Sequence, residues 1–494
     1  MTTLELSKRI IGKIGLKDSR LKMAILIVSA EIFLGFLCLA LGLYVIPFVL
    51  GSLLMLLIFL YPKIGLIIML FLMPNVDWLR FDIGPVTITP FRILLIPTLI
   101  GVLLHIVIYR RPITMAPIAA PVIALISIAI LSIVQSSHIG VGLARLVFFV
   151  ITFAITFVTA QLIDDKKWMK IAVGTMIASS AVLIMIALTQ GYFGYQGVNV
   201  TAVAGGHRLF GKTVGSLYAG PHLFAADLTV YLPFALVLAA ISTRLKSIFY
   251  MLLVLSFIAG ILLSAAMAGW LTAVASLAIL TVVGLLLKQY RGVIGVLKWL
   301  VIIILLATLL VAAIVPTPIL TARFERFTSI VSFGGPFLES TLEVRTAVFA
   351  AAKKMFVAHP VLGVGLGSFF YEYYKYQIAA VGQAGKKFTH RGFNVFVDIG
   401  SEMGILGIGV FLWFIIACAW YILKYLPLIT DTFLANMLLA SFIGGIAMFI
   451  QMQSETGNFW SNNFWVLLGL SLAIINISKA SGYIAEKRNA IGQT

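Results

Sequence analysis

Long apolar runs follow one another along almost the whole chain and restrict the possible folds more than any other feature. Their approximate bounds are 23–43, 46–61, 64–74, 91–109, 117–135, 143–163, 168–188, 222–241, 247–266, 269–287, 296–315, 402–424, 433–451 and 462–478. In lipid, backbone N–H and C=O groups must be paired within a helix or a closed barrel, and long runs select helices. Since one spanning helix needs about 20 apolar residues, the sequence predicts an all-α polytopic membrane protein with about 12–14 transmembrane helices.

Composition excludes a soluble fold. Of 494 residues, 62% are hydrophobic and 11% are charged, whereas soluble domains carry roughly 25% charged residues. Cys38 and Cys418 both fall inside apolar runs, so they offer neither a disulfide framework nor the spacing of metal ligands. The basic N-terminal stretch lacks a small-residue cleavage site, and we interpret it as a cytoplasmic lead-in to the first helix.

Positive residues predict the orientation of the helices. They occupy the following positions: Lys8 to Lys22, Lys63, Arg110 with Arg111, Lys166 with Lys167, Arg244 with Lys246, Lys288 with Arg291, Lys424, and Lys487 with Arg488. This set comprises every second connection and both termini, as the positive-inside rule requires when both termini are cytoplasmic. We therefore expect bundle helices at 1–315, with an outer loop at 189–221, a large extracytoplasmic loop at 316–391, and further bundle helices at 392–494.

The large loop at 316–391 is basic and has the composition of a folded segment. Its basic residues are Arg323, Arg326, Arg345, Lys353, Lys354, Lys375, Lys386, Lys387 and Arg391, against the acids Glu325, Glu339, Glu343 and Glu372. Because an arginine fork matches phosphate oxygens, a lipid phosphate or pyrophosphate is the expected ligand, with Arg323 and Arg326 among its candidate contacts. The alternative is attraction to anionic lipid headgroups.

A polar stripe follows this loop at His390, Asn394, Asp398 and Glu402. Positions four apart share one face of a helix, and ionisable residues at membrane depth usually face a bundle interior or an aqueous cavity. His390, at the mouth of the predicted site, is a candidate general base. The alternative for the other three side chains is that they satisfy one another or neighbouring helix ends.

A second polar cluster lies in the outer loop, in GGHRLFGKTVGSLYAGPHLF. It contains Arg208, Lys212 and His222 among glycines, which allow a phosphate to approach the backbone closely, although the spacing is not that of a P-loop. Asp227 and Arg145 are isolated, and we predict buried structural pairing for both. The outer loops contain no evident metal-ligand cluster and the cytoplasmic side no nucleotide motif, so we expect no cofactor, no nucleic-acid partner and an already activated donor.

Three segments together resemble a known family. They are RLFGKTVGSLYAGPHLF, then HPVLGVGLGSFF preceded by EVRTAVFAAA with Arg345, and HRGFNVFVDIGSEMGILG. They resemble the marks of the O-antigen ligase and O-antigen polymerase superfamily of bacterial envelope glycosyltransferases. Three departures stand out: Phe393, not histidine, precedes Asn394; Pro221-His222 replaces Pro-Asn; and LLSAAMAGWL lacks the arginine of the family's Ser-Arg-Gly.

The resemblance implies metal-independent transfer of glycan from an undecaprenyl-pyrophosphate-linked donor to an acceptor hydroxyl. The reaction would take place outside the inner (plasma) membrane, in contact with membrane lipids. On the matching positions, His390 would deprotonate the acceptor, with His222 as the second candidate, while Arg208 and Arg345 would hold the pyrophosphate. The acceptor would be a glycan or a lipid, and the resemblance does not separate a polysaccharide polymerase from a ligase.

Two other functions are compatible with a polytopic chain. A lipid-linked glycan flippase or other transporter would typically show internal repeats and broken helices near the membrane midplane. This sequence shows no convincing repeat, and its polar residues concentrate toward one face of the membrane. A structural envelope protein without catalysis would leave the stripe from His390 to Glu402 without a purpose.

Overall fold

The structure is a computed structural model and describes residues 45–73, 81–83, 86–110, 112–113, 116–193, 221–264, 266–287, 290, 292–302, 336–376, 392–454 and 461–484. Its helices are α1 (Val45–Leu60), α2 (Pro62–Leu72), α3 (Pro90–Tyr109), α4 (Ala116–Val134), α5 (Ile139–Leu162), α6 (Lys166–Phe193), α7 (Pro221–Ile241), α8 (Arg244–Ser264), α9 (Met267–Leu286), α10 (Gly292–Ile302), α11 (Pro336–Ala358), α12 (Phe369–Tyr376), α13 (Val395–Tyr425), α14 (Thr432–Gln451) and α15 (Asn462–Ala480).

Helices long and apolar enough to span a bilayer dominate the described part of the chain. Nine qualify within these ranges, namely α3, α5 to α9 and α13 to α15, and the bent pair α1–α2 would add a tenth. The fold class predicted from the sequence, an all-α polytopic membrane protein, is therefore confirmed. The predicted span at 23–43 lies outside the described residues, and the span at 296–315 is described only as far as residue 302.

The predicted spans at 46–61 and 64–74 are not two straight helices. Leu50–Leu60 and Pro62–Leu72 meet at an angle of 118°. Pro62 begins α2 and lacks an N–H, and a proline also disfavours helical geometry in the residue before it. Tyr61 accordingly has φ −127° and ψ 71°.

A short antiparallel hairpin, which the sequence did not predict, separates α2 from α3. Strand β1 (Phe81–Ile83) pairs with β2 (Val86–Ile88), with Asp82 opposite Thr87. The helix α3 then begins directly at Pro90, with Thr89 accepting the N–H of Arg92 as its cap. The hairpin is too short to alter the helical class of the fold.

Several of the basic segments that connect the helices contact neighbouring connections at one end of the bundle. This end is here termed the basic end. They are Lys63 Nζ to Asp164 Oδ1 (2.5 Å), Gln161 Nε2 to Pro112 O (3.0 Å), Lys166 Nζ to Asp431 Oδ2 (2.5 Å), Tyr290 Oη to Leu426 O (3.1 Å) and Thr430 N to Tyr483 O (2.8 Å). The turn between α4 and α5, the segment before α12 and the first residue of α13 lie at the opposite end, here termed the far end.

Helices α7 and α15 form the centre of the bundle. The buried share of the apolar span is 89% in α7 and 83% in α15. Trp465 on α15 is fully buried, and its ring lies 5.7 Å from that of Phe414. Asp227 on α7 accepts a hydrogen bond from Asn463 Nδ2 on α15. The predicted structural pairing of Asp227 inside the bundle is thus confirmed.

Candidate functional site

A kink in α13 organises the far end of the bundle. Gly404 has φ 64° and ψ −161°, so its neighbours Met403 and Ile405 belong to two helical segments of different direction. Residues 359–368, here termed the glycine loop, lie against this kink. The backbone bonds that join them are Val364 N to Ser401 O (2.8 Å), Gly365 N to Glu402 O (3.0 Å) and Ile405 N to Pro360 O (2.8 Å).

Glycines make this close backbone approach possible. Gly363 has φ 67°, and a Cβ there would meet the backbone of Glu402 and Met403. A Cβ on Gly404 would likewise meet the carbonyl of Val361. Only glycine adopts positive φ without steric cost and leaves room for a second backbone. Two segments quoted for the family resemblance, HPVLGVGLGSFF and GSEMGILG, therefore pack directly on each other.

The last turn of α4 and the turn before α5 also contact the glycine loop and the residues at the kink. Ser132 Oγ donates to Glu402 O (2.7 Å), and Gln135 Nε2 donates to Gly363 O (2.7 Å). Ser136 and Ser368 share a hydrogen bond between their hydroxyls (2.8 Å). The sequence gave no signal for these residues, because serine and glutamine at a helix end are common and their partners lie far along the chain.

The polar stripe does not lie on one continuous helix. Asn394 is the N-cap of α13, its Oδ1 accepting the N–H of Phe396 (2.9 Å) and of Val397 (3.3 Å). Phe393 has φ 56°, in the left-handed region, so the chain turns away before the cap. The expected helical face through all four positions is therefore wrong. His390 itself lies outside the described residues.

Both acids of the stripe bind backbone N–H groups. Asp398 Oδ1 accepts the N–H of Gly392 (2.6 Å), and Glu402 Oε1 accepts the N–H of Phe369 (3.2 Å), the first residue of α12. These contacts agree with the alternative reading, in which the acids satisfy neighbouring chain ends. A role of Asn394, Asp398 or Glu402 in substrate binding stays a prediction.

Arg345 joins three segments at the far end. Its Nη2 donates to Ser454 O (3.1 Å), and its guanidinium carbon lies 5.0 Å from the centre of the Phe393 ring. Beside it, Asn394 Nδ2 donates to Gln453 Oε1 (3.1 Å). We term Arg345, Phe393, Asn394, Gln453 and Ser454 the arginine junction. It connects α11, the start of α13 and the turn that follows α14.

A buried donor adjoins the arginine junction. Gln451, the last residue of α14, is 2% exposed, and its Nε2 has no hydrogen-bond partner within the described ranges. A buried donor without a partner costs about 1–3 kcal/mol. No polar group of the arginine junction reaches this donor, and Gln451 Nε2 stays unpaired within the described ranges.

The remaining predicted site residues are mostly beyond the described part. Arg208, Lys212, Arg323 and Arg326 lie outside it, as His390 does. His222 is exposed in the first turn of α7. Their predicted roles remain predictions, whereas Arg345, Asn394, Asp398 and Glu402 are brought to the far end together.

A His–Glu pair at this end was not foreseen from the sequence. His138 Nε2 lies 3.4 Å from Glu372 Oε1, and the His138 ring lies 5.0 Å from that of Tyr371. Glu372 is buried on α12, where Lys375 Nζ is 3.6 Å from its other oxygen. No three His, Cys, Asp or Glu side chains in the described segments are arranged to hold a metal ion.

A comparison with known families matches residues 251–412 to the family model described as O-antigen ligase. The chain carries an O-antigen ligase domain. The match confirms the family predicted from the motifs. No curated protein matches the chain significantly.

The O-antigen ligase domain extends from α8 into α13, so it includes Arg345, the glycine loop and the acids of the stripe. With the spanning helices, it makes the chain a multi-pass membrane protein of glycosyltransferase type. Its role is that of a ligase or polymerase in the context of lipid-linked glycan and membrane lipids.

Proposed function

We propose that the protein transfers glycan from an undecaprenyl-pyrophosphate-linked donor to an acceptor hydroxyl, as a polysaccharide polymerase or an O-antigen ligase. The observation that carries this proposal is the arginine junction, whose Arg345, Phe393 and Asn394 belong to the O-antigen ligase domain. The reaction takes place on the extracytoplasmic face of the inner membrane and needs no metal ion.

The chemistry assigns one role to each group. The acceptor oxygen attacks the anomeric carbon, the bond from that carbon to the pyrophosphate oxygen breaks, and undecaprenyl pyrophosphate leaves with the electron pair. His390 takes the acceptor proton, with His222 as the second candidate. Arg345 and Arg208 stabilise the negative charge that grows on the leaving group, and Lys212, Arg323 and Arg326 add positive charge for the donor.

The structure of the arginine junction supports this role for Arg345. Phe393 and Ser454 fix the plane of the guanidinium before any ligand binds. A group that is already oriented needs no reorganisation when charge develops, which is the basis of electrostatic catalysis. A lysine would keep the charge but would lose the planar fork and the stacking on the ring.

The distribution of charge supports the extracytoplasmic side. Lys63 and Lys166 form ion pairs at the basic end, while Arg345 lies at the far end. Short basic connections remain in the cytoplasm by the positive-inside rule. The far end then lies on the extracytoplasmic side of the membrane. On that side, lipid-linked glycan is assembled into envelope polysaccharide.

The test is donor turnover by the full chain reconstituted in liposomes. The assay supplies undecaprenyl-pyrophosphate-linked glycan and candidate acceptors, with and without a metal chelator. We expect turnover in chelator that is lost in His390→Ala and strongly reduced in Arg345→Ala, while Lys353→Ala, on an exposed face of α11, retains it. The length of the product separates a polymerase from a ligase.

Two outcomes would contradict parts of the proposal. Equal turnover by wild type and His390→Ala would exclude His390 as the base. The same assay with His222→Ala would then test the second candidate. Movement of lipid-linked glycan across the bilayer without turnover for any acceptor would establish the transporter alternative instead.

A further inference from the structure

Two lysines from different helices meet around the same tyrosine ring at the basic end. Lys424, in the last turn of α13, has its Nζ 5.6 Å from the centre of the Tyr425 ring. Lys479, in the last turn of α15, has its Nζ 4.5 Å from the same centre. Both lysines are exposed. We term Lys424 and Lys479 the lysine pair.

Further aromatic contacts hold the two ammonium groups in place. Lys479 Nζ donates to Tyr421 Oη (3.0 Å) and lies 5.3 Å from the centre of that ring. Lys424 Nζ lies 5.2 Å from the ring centre of Trp420. A cation within about 6 Å of an aromatic ring centre is attracted by the quadrupole of the ring. The rings of α13 therefore orient both positive charges before any ligand binds.

The lysine pair lacks a neutralising carboxylate within the described residues. At the same end, Lys63 and Lys166 each form an ion pair with an aspartate. No such ion pair joins Lys424 or Lys479 to an acid in the described ranges. Because like charges repel, an anion bound beside both ammonium groups would lower the electrostatic energy. The local charge thus favours an anionic ligand.

An exposed apolar face of α13 leads away from the lysine pair toward the middle of the helix. It comprises Trp413, Ile416, Trp420 and Leu423, which are between 48% and 62% exposed. Their spacing of three or four positions places them on one side of the helix. In a bilayer this face contacts acyl chains, whereas tryptophan and tyrosine near the helix end lie at the level of the headgroups. The anion is therefore expected to be the head of a lipid.

We infer that the lysine pair binds the headgroup phosphate of an anionic phospholipid in the leaflet at the basic end. The phosphate oxygens face the two ammonium groups, and the acyl chains lie along the exposed face of α13. Basic sites between spanning helices recognise anionic lipid headgroups in this way. The lysine pair and the arginine junction lie at opposite ends of the bundle, so the inference does not rest on the proposed function.

A general explanation exists for each lysine separately. Long lysine side chains extend from helix ends to the membrane interface, and cations are favoured at helix C-termini. This explanation does not require Lys424 and Lys479 to approach the same ring from two helices. A specific site and a general basic surface therefore differ in what happens when charges are removed from other positions.

Four substitutions supply the matched variants. Lys424→Gln with Lys479→Gln removes the charges of the lysine pair, and Lys424→Arg with Lys479→Arg retains them. The control, Arg244→Gln with Lys246→Gln, removes two exposed charges from the basic connection between α7 and α8. Thermal unfolding in detergent without added lipid verifies that each protein is folded. If the double Gln variant does not fold, Lys424→Gln alone replaces it, since Lys424 makes no hydrogen bond within the described ranges.

The experiment titrates the full chain in detergent with one lipid at a time and measures bound lipid by native mass spectrometry. The probes are dioleoyl phosphatidylglycerol, dioleoyl phosphatidylethanolamine with the same chains, and glycerol phosphate without chains. We expect wild type to bind phosphatidylglycerol about tenfold more tightly than phosphatidylethanolamine, and the double Gln variant to lose this preference. Lys424→Gln alone should lose about threefold. The Arg variant and the control should retain wild-type affinity.

Each other outcome overturns the inference. An equal loss of affinity in the control would show a general basic surface without a specific site. Unchanged preference for phosphatidylglycerol in a folded variant that lacks one or both lysines would exclude the lysine pair. Binding of glycerol phosphate as tight as that of phosphatidylglycerol would show that the acyl chains contribute nothing, which would overturn the assignment to a lipid.

Discussion

The carboxylate of Glu402 accepts the backbone N–H of Phe369 at 3.2 Å, so a residue next to the kink of α13 fixes the start of α12. The same residue also receives Gly365 N and Ser132 Oγ on its backbone carbonyl. Glu402 therefore links the glycine loop, α4 and α12 through both its side chain and its main chain.

Glu402→Ala should destabilise the protein by about 1–3 kcal/mol, because the substitution leaves the Phe369 N–H without its charged acceptor. Glu402→Gln retains an acceptor oxygen and should preserve most of the stability. Thermal unfolding in detergent measures the difference. A Glu402→Gln variant with wild-type stability and no turnover would contradict a purely structural role and indicate that the charge acts on the substrate.

Gly404→Ala should destabilise the protein by about 2 kcal/mol or more. The combination of φ 64° and ψ −161° is essentially restricted to glycine and costs an alanine about 1–3 kcal/mol, and the added Cβ also meets the carbonyl of Val361. The control in the same helix is Gly409→Ala, which meets nothing within 4 Å and should be neutral or stabilising by up to about 1 kcal/mol. Equal melting temperatures for the two variants would refute the packing account of the kink.

Arg345→Ala should lower turnover of the lipid-linked donor by about 10- to 100-fold, since a charged hydrogen bond contributes about 1.5–3 kcal/mol. Arg345→Lys should recover only a small part of this loss, because lysine cannot stack on Phe393 as a planar fork does. Initial rates at several donor concentrations, with Lys353→Ala as the control, test this. Full activity in Arg345→Lys would mean that charge alone is sufficient.

Asp431 should make the stability of the basic end depend on acid pH. Burial alone would raise the pKa of this carboxyl, but the hydrogen bond from Lys166 and the backbone N–H groups of Leu434 and Phe433 outweigh it and lower the pKa below the ordinary 3.8. The native state thus favours the ionised form. The resulting stability is fully present above the ordinary value and is lost as the pH falls below it, through the lowered pKa.

Melting temperatures between pH 6 and pH 3 measure this effect. Asp431→Asn keeps a capping oxygen for Leu434 but cannot titrate, so its melting temperature should fall less than that of wild type below about pH 4. Lys166→Gln should diminish the same acid-dependent loss by removing the partner of Asp431. Parallel curves for all three proteins would contradict the assignment to Asp431.

The spanning helices could be predicted because apolar length is a local property that tertiary contacts do not change. The bend between α1 and α2 at Pro62 was not predicted, because the apolar runs before and after it have the pattern of two separate spans. The direction in which α1 and α2 diverge also depends on the helices around them. The β1–β2 hairpin is so short that its residues carry no clear strand pattern.

For the candidate site, local motifs predicted which residues would gather but not how they would be arranged. Arg345, Asn394, Asp398 and Glu402 meet at the far end, yet α13 begins only at Val395 because Phe393 adopts a left-handed conformation that phenylalanine rarely takes. The pair His138–Glu372 had no sequence signal, because it joins ordinary residues from segments that are distant along the chain.

The contact between Ser132 and the carbonyl of Glu402 spans 270 residues of sequence. At synthesis rates of about 5–20 residues per second, α4 therefore waits roughly 14–54 s in the membrane before its partner is synthesised. During that interval Ser132 and Gln135 lack these two partners, since the glycine loop and α13 do not yet exist. A chain halted before the end of α13 would therefore retain inserted helices but lack the completed junction at the far end.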